Sequence, residues 1–138
     1  RFAQRDPVWS PDGSRIAFTT DFGAGTDFEL LSYDDYQIGL FDIATSEVTY
    51  LPEQKGKNIN PQWGPGGRTL AFVSDRKGAR QVWLMDADGS RQRQLTSDGG
   101  QHTHPTWSPS GKRVATPARA QATARSGRSR RTAARRRT

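Results

Sequence analysis

The chain has 138 residues, a hydrophobic share of 32%, no cysteine and a formal charge of +7, a length that allows one domain with a modest core. Without cysteine there is no disulfide framework, thiolate metal site or thiol nucleophile, and apolar runs of only a few residues are too short for a membrane-spanning helix. The basicity sits at one end: residues 117–138 hold eight arginines and no acid, which leaves 13 Lys and Arg against 14 Asp and Glu in 1–116. A start at Arg1, with no charged-then-apolar leader, is expected to mark a piece of something longer.

In chain order the first elements lie in PVWSPDGSRIAF, residues 7–18. A short Pro-x-Trp strand ends at an S-P-D-G turn, where proline presets φ and glycine accepts positive φ. The β-rich RIAFTT follows as a second strand. After the long segment DFGAGTDFELLSYDDYQ (21–37) come a third strand, QIGLFD, and a fourth, EVTYL, separated by a tight turn. The pattern then returns. Pro7, Trp9, Pro11 and Gly13 recur as Pro61, Trp63, Pro65 and Gly67, and again as Pro105, Trp107, Pro109 and Gly111. Asp42 to Leu51 and Asp86 to Leu95 are both nine steps, so the period is 54 residues and then 44, with the extra ten between Asp21 and Asp42. Four short strands every forty-odd residues is the unit of a β-propeller blade. No segment holds an i, i+3, i+4 apolar stripe beyond two turns, which argues against helices.

The P-x-W-S-P-D-G turn, the A-F-x-[ST]-[DT]-[DR] strand end and the I-x-L-x-D third strand resemble the TolB-type propeller repeat (WD-like) over roughly residues 5–115. The same repeat occurs in propellers preceding serine peptidase domains and in periplasmic propellers fused to outer-membrane barrels. The resemblance implies an all-β partial propeller over 1–116, with blades at about 7–51 and 60–96 and half a blade at 104–116. It also implies a periplasmic or otherwise extracytoplasmic location. In the second copy Gly64 and Gly66 replace Ser10 and Asp12, which should loosen that turn.

The third copy fails at Thr116, which stands where Phe18 and Phe72 are, and at Pro117, which cannot donate to a ladder. Residues 117–138 are therefore expected to be a disordered or frameshift-derived Arg/Ala tail on a fragment of a larger propeller protein. Eight arginines could neutralise phosphates, but no aromatic in the tail offers a base-stacking platform, so no specific nucleic-acid binding is expected.

In an up-and-down blade the loop between strands two and three shares an end with the connection to the next blade. That end carries 21–37, 52–60 and 97–104, the longest connections, where binding residues concentrate. Partner-binding candidates are Phe22, Asp27, Phe28, Tyr33, Asp34, Asp35 and Tyr36, with Lys55, Lys57, Asn58, His102 and His104. The opposing possibility is a self-packed loop whose aromatics cover the adjacent blade. Trp9, Trp63 and Trp107 are expected to pack between blades rather than form a ligand platform. Asp21, Asp75, Asp42 and Asp86 are expected to accept turn amides rather than take part in catalysis.

DADGS at 86–90 reads as a hairpin turn rather than a calcium loop, since Ser97 occupies the twelfth position. HTH at 102–104 would place two imidazoles on one side of an extended strand, but no third ligand can be named, so no metal or cofactor is assigned. No G-x-S-x-G elbow exists and no Ser/His/Asp set can be assembled, so no catalytic residue is assigned either. The expected role is a non-catalytic platform for a protein partner, which would also pack against the remaining blades of a parent chain. The alternative is the propeller of a prolyl-oligopeptidase-like serine peptidase whose chemistry lies elsewhere.

Overall fold

A computed structural model describes residues 4–22, 26, 27, 32, 33 and 35–119, with the backbone alone at 26, 27, 32 and 33. The described residues form strands and no helix. These are β1 (Gln4–Trp9), β2 (Arg15–Thr20), β3 (Thr26–Asp27), β4 (Ser32–Tyr33), β5 (Gln37–Asp42), β6 (Val48–Tyr50) and β7 (Asn58–Trp63). Then follow β8 (Thr69–Ser74), β9 (Gln81–Asp86), β10 (Arg93–Gln94), β11 (Gln101–His102), β12 (Thr106–Trp107), β13 (Val114–Ala115) and β14 (Ala118–Arg119). Two antiparallel four-stranded sheets, β1-β2-β5-β6 and β7-β8-β9-β10, stand side by side, followed by the paired strands β12-β13 and β11-β14. The fold is all-β, a partial β-propeller.

Three hairpins share one register. Val8 faces Ala17 and Trp9 faces Ile16; Gln62 faces Ala71 and Trp63 faces Leu70; Thr106 faces Ala115 and Trp107 faces Val114. β1 and β7 each contain a proline, Pro105 directly precedes β12, and in β1 and β7 a bulge explains how the ladder tolerates it. The register shifts between Arg5 and Val8 and again between Ile59 and Gln62. The residue before each proline, Asp6, Asn60 or His104, is left-handed, with φ of 52°, 53° and 45°. Asp, Asn and His are the side chains that tolerate that region best, and bulges re-aim a strand locally.

The turn after each tryptophan keeps one backbone frame with different side-chain support. In the first, Ser10 N donates to Arg15 O at 2.8 Å while Asp12 Oδ1 accepts from Ser10 Oγ, Ser14 N and Ser14 Oγ. In the second, Gly64 N still donates to Thr69 O at 2.8 Å, but no side chain closes the loop.

The core lies between the two sheets. Leu70 and Phe72 of β8 and Trp83 and Met85 of β9 project from one face, as period-two spacing requires. They meet Ala17, Ile38, Leu40 and Leu51 of the first sheet. Trp63 joins them, 8% exposed, and its Nε1 donates to Val8 O at 3.2 Å.

Two expectations change. Within 21–37 the chain forms a hairpin, β3 pairing with β4, where a loop was expected. Pairing also runs past Pro117: Gln101 faces Arg119 and His102 faces Ala118, and Thr103 N donates to the Pro117 carbonyl at 3.3 Å. Proline removes only a donor, so its carbonyl still accepts from Thr103, the residue after β11. Residues 120–138, which carry most of the expected tail, lie outside the described residues.

Candidate functional site

The β2–β5 and β8–β9 loops and the inter-sheet connections meet at one end of the sheets, held together by backbone. Tyr36 bridges Lys57, and Asn58 N donates to Tyr36 O at 2.8 Å. Asp75 Oδ1 accepts from Lys57 N at 2.8 Å, tying the second sheet's loop to the connection entering it. Gln54, on the same connection, accepts from Ile38 N at 2.7 Å and donates to Ile38 O and Leu51 O.

Arg76 is the centre of this end. Its Nε donates to Ser74 Oγ at 2.9 Å, one terminal nitrogen to Gln92 Oε1 at 2.6 Å, and the other to Asn58 Oδ1 at 2.8 Å. The guanidinium carbon lies 4.5 Å from the Trp83 ring centroid and 5.5 Å from that of Phe72. Burial holds the Arg76 pKa below its ordinary value, while the nearby charge of Glu53 acts in the opposite direction. Lys77 Nζ adds a second cation 5.3 Å from Trp83, so a tryptophan without a counterpart in the first sheet carries two cations.

The expected rim divides on this geometry. Phe22 is 38% exposed, with its ring tilted 37° on Tyr50 at 4.9 Å. Asp35, Tyr36 and Lys57 are half-buried and Lys55 is exposed. Phe28 and Asp34 lie outside the described residues, and Asp27 and Tyr33 are placed only as strand backbone. Two candidates are corrected. Asn58 is fully buried, its amide donating to Tyr36 O, Lys55 O and Gly56 O, so it braces the connection and offers no surface. His102, the matching residue of the third hairpin, is 4% exposed, with Nε2 2.7 Å from Asp98 Oδ1. That contact lowers the Asp98 carboxyl below the usual carboxylate range, helped by Gly100 N. The extended HTH strand fails too, because β11 ends at His102 and His104 is exposed and left-handed.

A His–Asp pair invites a catalytic reading, but His102 Nδ1, the nitrogen that would have to engage a nucleophile, is buried without a partner among the described residues. Asp42 does accept turn amides, from Ala44 N and Thr45 N at 2.9 and 3.0 Å. Asp86 differs: its carboxylate takes the Arg91 guanidinium at 2.7 and 3.1 Å, which lowers its pKa. Arg76 and Gln54 escaped the sequence reading because their bonds to Gln92, Asn58 and Ile38 span 16 to 18 residues, without local spacing to betray them.

Residues 32–108 match the family described as the dipeptidyl peptidase IV (DPP IV) N-terminal region. The chain is 34% identical over 89 residues to the uncharacterized peptidase YuxL of Bacillus subtilis, covering 64% of this chain and 13% of that protein. It is 34% identical over 74 residues to the Tol-Pal system protein TolB of Alcanivorax borkumensis, covering 52% of this chain and 14% of the relative. The solved structure of a candidate TolB from Agrobacterium tumefaciens superposes with a TM-score of 0.70 at 26% identity, over 91% of this chain and 41% of that one. The chain thus spans less than half the length of each, and about an eighth to a seventh of the two curated relatives.

Proposed function

This chain belongs to the dipeptidyl peptidase IV N-terminal region family, and on that footing we propose that it is a non-catalytic propeller segment that binds a protein partner in the bacterial cell envelope. The reading rests on the convergence of the β2–β5 loop with the inter-sheet connection, held by Tyr36, Lys57 and Asp75. A braced backbone presenting half-exposed aromatic, acidic and basic side chains suits protein recognition. The extracytoplasmic location is proposed from the resemblance to TolB-type proteins. The test replaces Tyr33, Asp34, Asp35 and Tyr36 together with Gly and Ser. Partners captured from envelope extracts by the unaltered chain should be lost while the thermal unfolding midpoint stays put. An unchanged set of captured partners removes this end from consideration.

The second reading is a propeller that accompanies a serine peptidase, favoured by the family match and by the peptidase name of YuxL. Under it, the coding sequence beyond residue 138 should encode a hydrolase domain with a G-x-S-x-G elbow. A barrel domain there instead would favour the first reading.

A further inference from the structure

We infer that the corner formed by Arg76, Lys77 and Lys55 receives the carboxylates of an acidic peptide segment of the protein partner. This rests on the partner-binding reading and adds the chemistry that the partner presents.

The backbone holds the two segments of the corner together. Asp75 N donates to Lys57 O at 3.3 Å while Asp75 Oδ1 accepts from Lys57 N at 2.8 Å. One terminal nitrogen of Arg76 donates to Glu53 O at 3.5 Å, and a Cβ on Gly56 would lie 3.4 Å from Arg76 N and Cα. Residues 53–57 therefore lie directly against 75–76. Gln92, which accepts from Arg76, also donates to Pro52 O at 2.7 Å and ties down the start of the same connection. On this braced frame Lys55 and Lys77 are exposed.

The charge at the corner has no counterpart. Arg76 is half-buried, and every acceptor of its donors is neutral: the Ser74 hydroxyl, the Gln92 and Asn58 side-chain oxygens and the Glu53 backbone carbonyl. A partly desolvated charge normally has an opposite charge beside it. Yet among the described residues none of Lys55, Lys57, Arg76 and Lys77 forms an ion pair. The acids of this end do not supply one. Asp75 is engaged by the Lys57 amide, half-buried Asp35 forms no ion pair, and exposed Glu53 acts on Arg76 only from beyond ion-pair distance. Burial outweighs Glu53 and lowers the Arg76 pKa, as it does for a cation short of countercharge. The β9–β10 turn shows the contrast, since Asp86 meets Arg91 at 2.7 Å and Arg93 at 3.8 Å.

Two cations share one indole here. The Arg76 guanidinium carbon is 4.5 Å from the Trp83 ring centroid and Lys77 Nζ is 5.3 Å from it. The Arg76 terminal nitrogen that bonds Asn58 makes that one bond, although it carries two N–H groups, so a donor remains. An arriving carboxylate meets a guanidinium already ordered by its neighbours, which lowers the entropy lost on binding. Partial exclusion of water strengthens the attraction. Three cations at one corner call for more than one carboxylate, which a run of Asp or Glu supplies.

Nuclear magnetic resonance titration of the 138-residue chain with a blocked tetraglutamate peptide tests this, reading the Trp83 indole and the Gly56 and Lys77 amides. Site-specific signals are needed because the eight arginines of 117–138 also attract the peptide. The corner signals should shift and saturate with tetraglutamate, weaken as salt rises and ignore blocked tetraglutamine. Lys55→Gln together with Lys77→Gln should raise the dissociation constant at least about 5-fold, as loss of two exposed ion pairs does. Lys112→Gln together with Arg113→Gln, an equal loss of exposed charge elsewhere, should leave it unchanged. No shift at the corner, or equal weakening by both double variants, overturns the inference. So do corner shifts with phosphatidylglycerol vesicles and none with the peptide, which would assign the corner to a membrane surface. If replacing 33–36 loses the envelope partners while the Lys55/Lys77 variant keeps them all, the partner-binding end stands and this inference alone falls. If partners ignore the 33–36 replacement while tetraglutamate still binds here, the partner-binding reading falls and the acid-binding corner remains.

Discussion

Trp9 and Trp63 stand at the same register of the same kind of hairpin, yet one is 61% exposed and the other 8%. Their strands, turns and bulges match; what differs is whether another sheet lies against them. Burial here is a property of the array rather than of the unit, as expected where each small sheet covers its neighbour. The opposing interior positions differ in the other direction. In the first sheet Phe18 faces Gly39, and in the second Phe72 faces Trp83 with Arg76 over both rings. One strand pairing thus accommodates either a phenyl lying across a bare backbone or an aromatic pair under a cation.

The sharpest way to break the tryptophan comparison is to truncate both. Trp63→Ala removes a buried indole, its bond to Val8 O and its stack with Arg15, and should lower unfolding free energy by about 3–5 kcal/mol. Trp9→Ala should change it by less than about 0.5 kcal/mol. Urea denaturation followed by far-UV circular dichroism decides; equal losses would mean that the first sheet's face is covered in solution.

The next effect is smaller and concerns Gly39. A Cβ there would fall 2.6 Å from Phe18 Cζ, so Gly39→Ala must push the phenyl aside, and overpacking of this kind costs about 1–3 kcal/mol. Adding Phe18→Leu to Gly39→Ala should recover part of the loss, a coupling that a double-mutant cycle reads directly. Additive costs would show that the two positions do not compete for the same space.

Much of this was legible before any coordinates. The recurring Pro-x-Trp and turn glycine located the hairpins, because turn chemistry and β-branched runs are local signals. The left-handed residue was legible in principle as well: Asp6, Asn60 and His104 each precede the repeated proline. An extended strand over 102–104 does not form, because His104, just before Pro105, is left-handed. The site was far less legible. Asn58 looks like an exposed loop residue, yet the Arg76 guanidinium and three carbonyls draw it inside. Such bonds link segments that spacing along the chain does not relate. Pro117 likewise showed its missing donor but not that its carbonyl would still find Thr103.

The smallest expected effect separates the first two turns, which share a backbone and differ in a carboxylate. Asp12 accepts from Ser10 Oγ and from the Ser14 amide and hydroxyl, and these bonds pull its pKa from 3.8 down to about 2. The folded carboxyl is then more acidic than the unfolded one, so the unfolded chain takes up the proton first. The stabilisation is present above pH 3.8 and is lost as pH falls through about 2. Gly66 stands in the equivalent place in the second turn and has nothing to titrate. Acidification should therefore shift the Ser14 and Arg15 amide resonances with an inflection near pH 2 and speed their hydrogen exchange, while Gly67 follows only global unfolding. Asp12→Asn should remove the inflection and leave the Ser10 N to Arg15 O bond in place, because the second turn keeps that bond with no carboxylate at all. An Asp12 that titrates at 3.8 in the folded chain would mean that the serine bonds do not persist in solution, and the two turns would then be held by backbone alone.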